Sequence, residues 1–151
     1  MALSVQYNKN KSFILCLIYR PVFHLTTDDI NFFERLTLEL HNFKKDFYIC
    51  GDFNIHLESE SDTQVKKFKS MLLRNHISII TKQPTRKNSM IDFFLSNNTS
   101  NIQGDGVIDP HLSDHPSCYI TRKCSIKTKK CDSEQTKLQQ NEFTTGICLF
   151  Q

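Results

Sequence analysis

The sequence predicts an α/β domain. Three observations carry that reading: a long apolar run near the start, two later stretches with apolar residues at helical spacing, and short apolar runs after each. Strand, helix, strand, helix and then strands is the order that layered sheets and helices accommodate. The length of 151 residues fits one domain with its own core, and twelve Phe against four Gly and four Pro argue against a disordered or collagen-like chain.

Taken in order, residues 12–19 (SFILCLIY) are almost continuously apolar and stop at Arg20-Pro21, which predicts a strand covered on both faces. Thr26-Thr27-Asp28-Asp29 offers helix caps and acidic first-turn residues. Phe33, Leu36, Leu40 and Phe43 then share one helical face, so a helix is expected over 28–44. Residues 46–50 (DFYIC) predict a strand that runs into Gly51-Asp52-Phe53-Asn54, where glycine frees the backbone for a sharp turn. Val65, Phe68 and Leu72 set a second amphipathic helix over 62–75, and residues 77–80, 90–95 and 118–121 read as three short strands. The chain then turns polar and lysine-rich except at 146–150, so a domain over 1–122 and a basic, poorly ordered tail over 123–151 are expected. There are no internal repeats.

The net charge of +3 is uneven: residues 1–116 hold 13 Lys/Arg and 13 Asp/Glu, residues 117–151 hold 6 and 3. The excess belongs to the tail. Of six cysteines, Cys16 and Cys50 lie inside apolar runs and none has C-x-x-C spacing, so reduced, idle thiols are expected rather than zinc or redox chemistry. No apolar run approaches the roughly 20 residues of a membrane span, and the first ten residues lack a signal-peptide pattern. The expected setting is intracellular, nuclear or cytoplasmic, away from membranes.

Four clusters could carry chemistry. Asp52 and Asn54, at a strand end, share a side by alternation, and a carboxylate beside an amide can align a water and hold a phosphate oxygen. The plainer alternative is a polar turn. Ser113-Asp114-His115-Pro116 supplies an imidazole beside a metal or water ligand, or else an ordinary turn-forming loop. Asp92 lies inside the apolar run MIDFFL, where a buried carboxylate needs a partner such as histidine; an edge-strand charge is the alternative. Tyr19 and Arg20 could both reach a phosphate, against a strand end with a snorkelling Arg, and Thr85 of Pro84-Thr85-Arg86 is the weakest candidate donor.

In this order, YRP, GDFN after a strand, T-R, IDFFLS and SDHPS resemble the endonuclease/exonuclease/phosphatase superfamily, most closely the endonuclease domain of non-LTR (LINE-type) retrotransposons, over about residues 12–121. The resemblance implies a partial four-layered α/β-sandwich, two β-sheets flanked by helices, that cuts DNA phosphodiester bonds with Mg²⁺ or Mn²⁺. Carried over, Asp52 orients and deprotonates the attacking water, Asn54 contacts the scissile phosphate, and His115, oriented by Asp92, stabilises that phosphate. Asp114 matches the position near the metal, Tyr19 a phosphate-contacting tyrosine, and Arg20, Thr85 and Ser113 fall on the substrate side.

Members of the superfamily carry an asparagine on an opening strand and a principal metal-binding glutamate on a later one, both before the strand that ends in the tyrosine. No match to either precedes Tyr19 here, so the resemblance implies N-terminal truncation, with residues 1–122 as roughly the C-terminal two-thirds of the domain. Weak metal binding, exposed sheet edges and a protein partner covering the incomplete sheet are expected in consequence. Two functions of different class follow. One is Mg-dependent hydrolysis of DNA; the other is a catalytically inactive remnant that binds protein, or nucleic acid through Arg122, Lys123, Lys127, Lys129 and Lys130. A small-molecule phosphatase of the same superfamily ranks third, because YRP and IDFFL are spelled as in retrotransposons.

Overall fold

The computed structural model describes residues 1–21, 23–81, 83–85, 89–108 and 116–124, and the backbone alone of 144–150. Its larger sheet has five strands in the order β1 (Ala2–Asn8), β2 (Lys11–Tyr19), β3 (Phe47–Asp52), β5 (Asp92–Ser96) and β4 (Ser78–Ile79). Only β2 and β3 run parallel. The crossover between them is helix α1 (Thr27–Asn42), as a parallel connection requires. Helix α2 (Thr63–Arg74) follows β3. A second, antiparallel sheet has the order β6 (Ile102–Ile108), β7 (Ser117–Cys124) and β8 (Thr144–Phe150).

Both helices begin where the sequence offers caps. Thr26 and Asp29 form a reciprocal capping box on α1, and Asp62 accepts from the backbone N–H groups of Gln64 and Val65 on α2. The helix expected over 28–44 ends at Asn42, so Phe43 falls at its C-cap and stays 62% exposed rather than continuing the buried face of Ile30, Phe33 and Leu40.

Alternation along the strands divides the core in two. Ile14, Cys16, Phe47, Ile49, Phe93 and Leu95 face the helices and meet Phe33, Val65, Phe68 and Met71. Their neighbours Phe13, Leu15, Tyr48, Cys50 and Phe94 face the second sheet and meet Cys118 and Ile120. The chain is therefore a mixed α/β protein with two sheets and helices; among the described residues the helices cover one face of the larger sheet, giving three layers. The four cysteines with described side chains, Cys16, Cys50, Cys118 and Cys124, are buried. No helix among the described residues is long and apolar enough to cross a membrane.

Three strands depart from the sequence reading. β1 and β6 lie outside the strands predicted there, and β8 lies inside the expected poorly ordered tail, where it pairs with β7 from Cys118↔Phe150 to Cys124↔Thr144. Arg122, expected to reach nucleic acid from that tail, is buried between the sheets. Its Nε donates to the Tyr48 hydroxyl at 2.9 Å, its Nη2 to Asp46 at 2.7 Å, and its guanidinium lies 4.9 Å from the ring centres of both Tyr7 and Phe13. A delocalised, weakly hydrated cation tolerates such an aromatic cage when a carboxylate answers its charge.

Candidate active site

Three candidates arrive at one place through strand register. Tyr19 ends β2, Asp52 ends β3 and Asp92 begins β5, and the pairings Tyr19↔Asp52 and Asp52↔Asp92 set them in a single row across the sheet. Two-residue alternation puts this row on the face of Leu17, Cys50 and Phe94, at the edge of the space between the sheets. Tyr19 is 74% exposed and open to a ligand; Asp92 is only 4% exposed.

The turn after β3 is built by its own residues. At Gly51 φ is +146°, and a Cβ there would lie 1.7 Å from the Ile18 carbonyl oxygen, so only glycine lets β2 and β3 approach next to Asp52. Asn54 sits at φ 48°, a left-handed conformation that asparagine tolerates, and its Nδ2 donates to the Arg20 carbonyl at 2.7 Å. Its backbone N–H donates to Asp52 Oδ1 at 3.0 Å, which restrains that carboxylate. Phe53 points the other way and stacks on Phe93 at 4.0 Å between ring centres. Phe53 thus faces away from the row, as alternation leads one to expect, while the Asn54 side chain turns to the Arg20 carbonyl.

Two of the substrate-side candidates turn inward. Arg20 is 7% exposed, and its Nη1 and Nη2 donate inward to the carbonyls of Asn54, Phe23 and His24 and to Asp29 Oδ2. It ties the turn after β3 to the start of α1, because a guanidinium is rigid and rich enough in donors to satisfy several inward-pointing oxygens. Burial alone pushes the Asp29 carboxyl up, but the hydrogen bonds from Arg20 and Thr26 and the guanidinium's charge outweigh it and hold Asp29 below the usual carboxylate range. Thr85 is fully buried; its Oγ accepts from the N–H groups of Ile91 at 3.3 Å and Asp92 at 3.0 Å. It therefore fixes the start of β5 from inside the protein.

Ser113, Asp114 and His115 lie outside the described residues, as does Arg86 of the Thr85-Arg86 pair; the described flanks Ile108 and Ser117 are in register. Sequence reasoning missed Asp29 as the anchor of Arg20. The signal is present, since Thr26 and Asp29 have capping-box spacing, but that spacing points to the helix start alone and not to a guanidinium nine positions earlier.

Asp52 and Asp92 are hard oxygen donors at adjacent register positions, the type of ligand Mg²⁺ and Mn²⁺ take, so the donor chemistry of the row fits such an ion. Among the described residues no group of three His, Cys, Asp or Glu converges on one point. Most of the ion's shell would therefore be water, phosphate oxygens or residues elsewhere.

The two-sheet α/β fold is shared with solved structures. The chain is similar to the endonuclease domain of TRAS1, a telomere-specific non-LTR retrotransposon, at a TM-score of 0.58 and 15% identity, over 72% of this chain and 56% of that one. It is also similar to an endonuclease/exonuclease/phosphatase family protein from Leptotrichia buccalis C-1013-b, at a TM-score of 0.61 and 13% identity, over 84% of this chain and 52% of that one. The chain thus spans little more than half the length of either. No curated protein matches it in sequence. The sequence pattern described as Endonuclease-reverse transcriptase matches residues 13–119, and the chain belongs to that family, within the endonuclease/exonuclease/phosphatase superfamily.

Proposed function

We propose that this endonuclease-type domain hydrolyses phosphodiester bonds of DNA with a divalent metal ion. The observation that carries the reading is the single row Tyr19, Asp52 and Asp92 at the ends of three neighbouring strands, inside the family-matched segment. Bound Mg²⁺ or Mn²⁺ would supply positive charge against the charge growing on the phosphate. Asp52 accepts the proton of a water as the water oxygen bonds to phosphorus; the bond from phosphorus to the departing nucleotide oxygen breaks, and that oxygen takes a proton from solvent water as it leaves. Tyr19 donates its hydroxyl to a phosphate oxygen, and His115, oriented by Asp92, stabilises the same group. Asp114 and the carboxylates of the row would share the ion.

The test is nicking of supercoiled plasmid by the purified chain with Mg²⁺, with EDTA, and with His115→Ala. Nicking that needs both the metal and His115 supports the reading. A cooperatively folding chain that does not nick overturns it and leaves the second reading, a non-catalytic remnant that binds nucleic acid or protein.

A further inference from the structure

We propose that a basic cleft at the opposite end of the larger sheet binds a nucleic-acid strand through its phosphates and holds it without cutting it. The cleft has a volume of about 610 Å³ and lies where the loop after α1, the start of β2 and the end of β7 meet. Asp46 precedes β3 and Asp52 ends it, so six residues at roughly 3.3 Å each put the cleft ~20 Å from the catalytic row. The two sites are separate.

Four lysines line this cleft from three segments: Lys11 at the start of β2, Lys44 and Lys45 after α1, and Lys123 on β7. All four residues are exposed, and none has an ion-pair partner among the described residues. The floor is different. Arg122 is already answered by Asp46, so the acid that could neutralise the lysines is engaged elsewhere and the rim keeps its charge. An ordinary explanation exists for part of the cluster, since Lys44 and Lys45 follow the negative end of the α1 dipole. It does not reach Lys11 or Lys123, which come from strands of two different sheets.

The size of the cleft selects the ligand. A concavity of this order holds a drug-sized group, hence one or two nucleotides of a flexible strand, and flexible lysines are point-charge partners for successive phosphates. DNA and RNA present the same phosphodiester charge, and the experiment separates them. Binding is read in EDTA, so it stands apart from any metal-dependent cutting.

The test is fluorescence anisotropy of labelled twelve-nucleotide DNA and RNA strands of one sequence, titrated with the full chain in EDTA over a range of salt. The variant is Lys44→Asn with Lys45→Gln; asparagine suits the left-handed backbone at Lys44, where φ is 52°. The control is Lys66→Gln with Lys67→Gln, the same charge removed from the exposed face of α2. Binding roughly tenfold weaker in the cleft variant, with a salt slope lower by about 1.4 (roughly 0.7 for each phosphate no longer neutralised), is the expected result, and the control should change less than about twofold. The strand that shows the larger difference identifies the natural ligand. Equal losses in both variants, or none in the cleft variant, overturn the proposal. Plasmid nicking by the same proteins reports on the catalytic row independently.

Discussion

Strand β3 is flanked by carboxylates, Asp46 just before it and Asp52 at its last position, and the two are treated in opposite ways. At its start, Asp46 accepts from Asn98, Asn101 and the Arg122 guanidinium. At its finish, half-buried Asp52 accepts only the Asn54 N–H among the described residues. The first is saturated and locks the two sheets together through the Arg122 cage. The second, among the described residues, has acceptor positions that no donor takes, beside an exposed tyrosine. A satisfied buried charge contributes to specificity of folding, whereas one with capacity to spare can take a proton or a cation. One short strand thus separates structure from chemistry by the number of donors aimed at each end.

The largest expected effect tests the open end. Asp52→Asn keeps the shape and removes the basic carboxylate, so plasmid nicking should fall by about 10³-fold while the thermal melt barely moves. Undiminished nicking would break the assignment. Next comes the saturated end: Arg122→Met should cost ~3 kcal/mol in chemical denaturation by leaving Asp46 without its cation, and adding Asp46→Leu should restore most of that loss. A neutral Arg122→Met would erase the contrast between the ends.

A smaller effect sharpens the border between the two. Thr85→Val preserves volume but withdraws the acceptor shared by the Ile91 and Asp92 N–H groups, and should cost ~2 kcal/mol in the same assay. The smallest effect is in pH. Burial raises the Asp46 carboxyl, but its bonds from Asn98, Arg122 and Asn101 win and hold it below the ordinary 3.8. A depressed folded value means that this stabilisation is complete above the unfolded value and disappears as pH falls from 3.8 through the lower folded one. Denaturation midpoints of wild type and Asp46→Asn should therefore converge on acidification; curves that stay parallel would show that the network does not depend on charge.

Much of this arrangement is legible without coordinates. Residues 12–19, the two amphipathic helices and the GDFN turn produce their elements through local rules of periodicity, capping and glycine geometry, and those elements bring Asp52 to a strand end. The misses differ in cause. β1 (ALSVQYN) alternates Leu3, Val5 and Tyr7 with Ser4, Gln6 and Asn8, a strand signal that the sequence reading passed over, whereas β6 (IQGDGVI) holds two glycines and pairs because β7 supplies its hydrogen-bonding edge.

Sequence by itself determined which residue types stand at the ends of the strands, because alternation and turn chemistry act within a few positions. Tertiary structure decided what those residues do. Arg20 and Thr85 resemble ligand-facing groups in the sequence, yet each turns inward, since buried carbonyl and N–H groups far along the chain need their partners. Asp46 and Arg122 lie 76 residues apart and meet only when the sheets pack. Local sequence carries propensity, but the satisfaction of buried charge depends on groups that only the complete fold brings within hydrogen-bonding distance.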